Sequence, residues 1–114
     1  MPKKSRPSPP HPDLPPLHPG ELLREDVLPE LNMEVPEVAR ALGIPTRTMR
    51  DILDEKKPVT PEIAVRLGAA FNPSAEMWLR LQGSFDLWHA RRETDTTGIR
   101  HFKAPGEKRA SALP

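Results

Sequence analysis

Residues 35–54, VPEVARALGIPTRTMRDILD, decide how the chain folds, because each of their apolar positions fits two short helices packed across a tight turn. Val38, Leu42, Ile44, Met49 and Ile52 fall at spacings that point inward if residues 36–42 form one helix and residues 46–54 the next. Ala39, in the middle of the first helix, has a side chain small enough for the second to approach closely. Gly43 follows the last apolar residue of the first helix, where a reversing chain needs a residue that tolerates positive φ. Pro36 and Pro45 stand near the first position of each helix, where a missing N–H costs nothing and a fixed φ helps.

Around this hairpin the same reading gives three more helices. His18-Pro19-Gly20 opens a short amphipathic helix carrying Leu22, Leu23, Val27 and Leu28, expected to end by Pro29; His18 reads as a packing and capping residue. Thr60 is the N-cap of the next helix, with Pro61 at its first position, Glu62 in its first turn, and Ile63, Ala64, Leu67, Ala70 and Phe71 along one stripe. Asn72-Pro73 stops it, and Ser74 caps a last helix over residues 75–91. The expected fold class is all-α: a five-helix domain over residues 17–92, with flexible tails on both sides.

Composition defines those tails. Seven of the 16 prolines fall within residues 1–16, an arm with no means of forming helix or sheet ladders and therefore expected to be disordered. Residues 93–114 carry few large apolar side chains and read as a flexible basic tail. The net charge of +1 conceals a division: residues 19–88 hold 8 basic and 12 acidic side chains, while both tails are basic. Cysteine is absent, which removes disulfides and thiolate metal sites. No signal peptide or membrane span is recognisable, so the expected location is cytoplasmic, with no membrane partner. The four histidines (His11, His18, His89 and His101) are scattered, three without an acid or base partner nearby and the fourth in a helical neighbour pair with Asp86 that reads as no site, and no Gly-rich phosphate loop occurs. Neither an enzyme nor a cofactor or metal site is expected.

The hairpin pattern is a helix-turn-helix, and residues 18–91 resemble the HigA-type antitoxins within the Xre/Cro-like helix-turn-helix regulators. HPGELLRED, VARALGIPTRTMRDIL, VTPEIAVRLGAAF and MWLRLQGSFDLWHAR occur in the family's order and spacing. The resemblance implies the antitoxin of a type II toxin–antitoxin pair. Such a protein neutralises a HigB-like mRNA-cleaving toxin and, as a dimer, binds double-stranded operator DNA to repress its own operon. The mobile Pro-rich arm is a candidate toxin contact, because such segments wrap a partner and order on binding. Two alternatives share the fold: a stand-alone transcriptional regulator, and a scaffold that binds protein but has lost DNA binding. The acidic core favours the scaffold, as do Glu34 and Val35, which stand where the family commonly has a small polar cap and a Gln.

On the second helix of the hairpin, Thr46, Arg47, Thr48 and Arg50 are the candidate DNA-contacting residues, joined by Lys56 and Lys57 as phosphate anchors. The first turns of a recognition helix enter the major groove, where Arg pairs with guanine and Thr meets a thymine methyl or a phosphate. A competing assignment pairs Arg47 and Arg50 with Asp51 and Asp54 on a solvated face. The last helix has more apolar surface than one small core can use. Trp78, Leu81 and Phe85 are expected to pack inside, leaving Leu87 and Trp88 with part of their area uncovered, and Met77, Trp78, Leu81, Phe85, Leu87 and Trp88 form the candidate dimer interface.

Overall fold

The computed structural model describes residues 14–103, and among them every regular element is helical. Five helices follow in order: α1 over residues 19–31, α2 Val35–Leu42, α3 Thr46–Leu53, α4 Pro61–Ala70 and α5 Ala75–Glu93. Residues 1–13 and 104–114 lie outside this description, and with them most of the expected Pro-rich arm and the end of the basic tail.

α1 runs past Pro29 instead of ending there. It consists of α-helical Pro19–Leu22, a π-helical segment Leu23–Val27 and α-helical Leu28–Leu31, and it stops only at Asn32, in the left-handed region at φ 56°. A proline inside a helix loses one backbone bond, and its ring crowds the carbonyl four residues back. The Leu28 N–H reaches back five residues to the Leu23 carbonyl, so a widened turn lies immediately ahead of Pro29 and lets the helix continue.

The hairpin residues fold as their spacing requires. Val38, Ala39, Leu42, Met49, Ile52 and Leu53 are buried, and they share one core with Leu23, Val59, Ala64, Leu67 and Trp78. Full burial of a side chain such as Leu or Ile contributes roughly 1.5–3 kcal/mol, so this shared cluster dominates the stability of so small a domain. Gly43 adopts φ 76°, and its N–H closes the end of α2 on the carbonyls of Ala39 and Arg40. α1 lies across α3 so closely that a Cβ on Gly20 would fall against the Ile52 carbonyl. α4 packs on α2 and α5, and α5 in turn reaches α1, which closes the bundle around the hairpin.

The caps fall where the sequence puts them. Thr60 Oγ1 accepts from the Ile63 N–H at 3.3 Å, and Ser74 Oγ accepts from the Met77 N–H at 3.3 Å. Glu34 takes the N-cap of α2 and its own N–H donates to Glu37 Oε1 at 3.0 Å, a reciprocal capping box. The acid that occupies a family cap position is thereby employed within the protein.

Candidate nucleic-acid interface

α3 buries Met49, Ile52 and Leu53 at the i, i+3, i+4 spacing, and this fixes which side chains face outward. Arg47 and Arg50 are exposed, one turn apart, on the outer face; Thr46 and Thr48 are half-buried beside them. No acidic residue lies in the first turn of α3. Among the described residues neither arginine is held in an ion pair, so the assignment of both to Asp51 and Asp54 is not realised. Asp51 instead meets Lys57 Nζ at 3.6 Å. Glu55, at φ 62° past the end of α3, is met by Arg24 of α1, whose Nη2 lies 3.3 Å from Glu55 Oε2. Two of the three acids behind the helix are therefore countered by neighbouring cations. Lys56 is exposed, and Lys57, also exposed, carries the surface pair with Asp51, an interaction of small net worth.

Two arginines outside the hairpin set its geometry. Arg66 of α4 donates from Nη1 to the Leu42 carbonyl at 2.9 Å, across the turn, while Glu62 holds its other edge at 2.9 Å. That bond satisfies a carbonyl at the open C-terminus of α2 with a full positive charge, favourable for both helix dipole and hydrogen bonding. The guanidinium lies so near Gly43 that an added Cβ would come within 2.7 Å of Nη1. Arg24 does the same for α3 by donating from Nη1 to the Leu53 carbonyl. Its guanidinium is also held charged, by the Glu25 hydrogen bond first, with Glu55 adding to it against the desolvation that opposes both.

The loop from α3 to α4 is fixed from beneath by Gln82 of α5. Its buried Oε1 accepts the Val59 N–H at 2.8 Å, and its Nε2 donates to Asp86 Oδ1 at 2.9 Å. His18, 3% exposed, accepts the Gly20 N–H at Nδ1 at 2.8 Å and stands edge-on to Phe85 at 4.8 Å. Burial pushes its pKa below the usual 6.5, against the opposing pull of Glu55 and Asp86 and with a lesser lowering by Arg24. His18 is thus the capping and packing residue expected of it. Arg24, Arg66 and Gln82 escaped the sequence reading. Only the Glu62–Arg66 spacing hinted at any of them, and their targets are backbone groups on other elements.

The residues named for a dimer interface differ in how much of their area the protomer covers. Trp78 is fully buried and Leu81 is partly buried against the core, both turned inward as expected, so Trp78 has no area to offer a partner. Phe85 is engaged by His18 and by His89, at 4.4 Å, and Trp88 is half-buried with Arg92 stacked 4.0 Å above its ring. Met77 and Leu87 remain exposed. The inward packing has a simple cause: α1 and α4 both lie against α5.

No protein-family model matches the chain. An HTH-type transcriptional regulator of Escherichia coli, YddM, is 37% identical over 84 residues, covering 74% of this chain and 88% of that one. The antitoxin GraA is similar in structure with a TM-score of 0.73 and 35% identity, over 78% of this chain and 99% of GraA; in complex with its operator the same antitoxin gives 0.72. The Pseudomonas aeruginosa antitoxin HigA with the higBA promoter gives a TM-score of 0.67 at 36% identity, over 79% and 97% of the two chains.

Proposed function

The chain belongs to the HigA-type antitoxins of the Xre/Cro-like helix-turn-helix regulators, and on that premise we propose that it binds operator DNA as a dimer, represses its own operon and neutralises a HigB-like mRNA-cleaving toxin. The observation that carries the DNA reading is the outer face of α3. Its exposed arginines, Arg47 and Arg50, are engaged by no described acid, and nearby acids are countered by Lys57 and Arg24. GraA and HigA, which are similar over most of this chain, have been solved with operator and promoter DNA.

In this reading Arg47 and Arg50 read base edges in the major groove, Thr46 and Thr48 contact a thymine methyl or a phosphate, and Lys56 and Lys57 anchor the backbone. The Pro-rich arm, residues 1–16, contacts the toxin. The acidic charge of residues 19–88 favours the protein-binding scaffold as a second reading, and salt separates the two. Operator binding through phosphates loses affinity steeply as salt rises. Arg47→Ala or Arg50→Ala is expected to cost about 1–3 kcal/mol and to relax preference at one base position. Lys56→Ala is expected to weaken binding uniformly and flatten the salt dependence. Binding titrations on the chain's own upstream DNA from low to moderate salt decide this, and no binding at low salt leaves the scaffold. Co-expression with the neighbouring small open reading frame tests the toxin: growth arrest by the neighbour, relieved by this chain in a complex that purifies intact, is the expected result.

A further inference from the structure

The end of α1 stands apart from the packing that holds its start. Its first turn meets α3 and α5, and beyond that turn residues 26–31 and the end of α4 border a groove of about 530 Å³. Val27 and Leu31, four residues apart, form one row along α1, and half-buried Phe71 completes the apolar lining from just past α4. Asp26 and Glu30 form the neighbouring row, both exposed. The π-helical segment ends at Val27, on this border, and such widened turns recur at functional sites. Glu30 forms no ion pair among the described residues, whereas Glu25 and Glu55 meet Arg24, Asp51 meets Lys57 and Glu62 meets Arg66.

An apolar strip with an aromatic ring and an acidic rim suits a polyproline II segment that carries cations, because proline rings pack on the strip while the charges meet the rim. This chain has such a segment. Residues 1–13 hold Pro7, Pro9, Pro10 and Pro12, preceded by Lys3, Lys4 and Arg6. We propose that this arm docks in the groove of its own domain, prolines on Val27, Leu31 and Phe71 and cations at Asp26 and Glu30. Three cations against Asp13 leave the arm positive, opposite in sign to the rim. Its length suffices. The two acids lie roughly 10 to 17 Å along α1 from Pro19 by helix rise, and Leu14 is within about 17 Å of Pro19. The thirteen residues ahead of Leu14 span about 40 Å at the polyproline II rise, more than those two distances together. On the reading above, in which the arm contacts the toxin, the groove holds the arm until the toxin takes it; the docking itself does not rest on that reading.

The absence of cysteine allows a single nitroxide to be placed on the arm through Ser5→Cys. In the isotope-labelled full chain carrying it, the amide signals of Val27, Leu31 and Phe71 are expected to lose most of their intensity, and those of Arg47 and Arg50 to keep theirs. Loss spread evenly over the domain, or centred on α3, overturns the proposal. A labelled chain without nitroxide, mixed with an unlabelled chain that carries it, is expected to show no loss; loss at the groove there puts the arm on a second copy and overturns docking within one chain. Lys3→Glu, Lys4→Glu and Arg6→Glu together change no residue of the helical domain and are expected to abolish the groove signal. Adding Asp26→Lys and Glu30→Lys to that variant is expected to restore it. A signal that survives reversal of the arm refutes the ionic match, and a signal that the exchange of charges fails to restore refutes the groove as the arm's place. Neither toxin nor DNA enters the measurement, so its outcome is separate from that of the proposed function.

Discussion

His18 shows how one side chain ties local geometry to pH. Its Nδ1 must be unprotonated to accept the Gly20 N–H, and burial lowers its pKa, so the folded protein binds a proton less readily than the unfolded chain. Stability from this residue is present above about 6.5 and is lost as pH falls through that value toward the lowered folded one. Thermal unfolding followed from pH 7.5 to 5 is expected to show a falling midpoint. His18→Asn, which keeps a capping acceptor and removes the titration, is expected to flatten that part of the curve. Gln82 is the second residue whose loss strands a backbone group. Gln82→Leu leaves the Val59 N–H without its buried acceptor and is expected to cost about 1–3 kcal/mol in denaturant unfolding. The chemistry of His18 was legible from the sequence as a cap ahead of Pro19-Gly20. That of Gln82 was not, because its partner is 23 residues away in the chain.

Among the elements, α1 carries the largest difference between pattern and structure. Its apolar positions predict a helix ending at Pro29, but a π-helical segment carries it to Leu31 and so extends the surface that covers the hairpin. Contact with α3 depends on Gly20, where any side chain would collide with the Ile52 carbonyl. Gly20→Ala is therefore expected to cost about 3 kcal/mol, as overpacking of a close contact, and to lower the urea midpoint without changing the slope. A loss under half a kcal/mol would mean that α1 can shift off α3 without penalty. For α2, α3 and α4, boundaries and caps were readable to within a residue or two, since spacing, Gly43, Thr60 and the prolines are local signals. The clamps on the α2 and α3 C-termini, from Arg66 and Arg24, are long-range and had no local signal.

At the scale of the whole molecule, the proposed operator binding brings an acidic body to a polyanion, and doubling the contact is one physical route to affinity. Two recognition helices held on one dimer gain an effective concentration for the second half-site. Leu87→Arg, at an exposed position of the candidate dimer interface and outside the hairpin, is expected to weaken binding to a full palindromic operator and leave half-site binding unchanged. Gel-shift titrations on the two DNAs compare these, and equal loss on both would trace the effect to misfolding. The sequence by itself determined the all-helical class, the hairpin and its inward residues, and the outward arginines of α3. These follow from helical periodicity and from the backbone demands of Gly and Pro, which act within a few residues. Only the tertiary structure decided that Arg47 and Arg50 stay clear of the acids, that α1 continues past Pro29, and that Arg66, Arg24 and Gln82 hold the ends and the loop of the hairpin. Each depends on which elements meet across space, and burial and charge pairing are settled by that meeting.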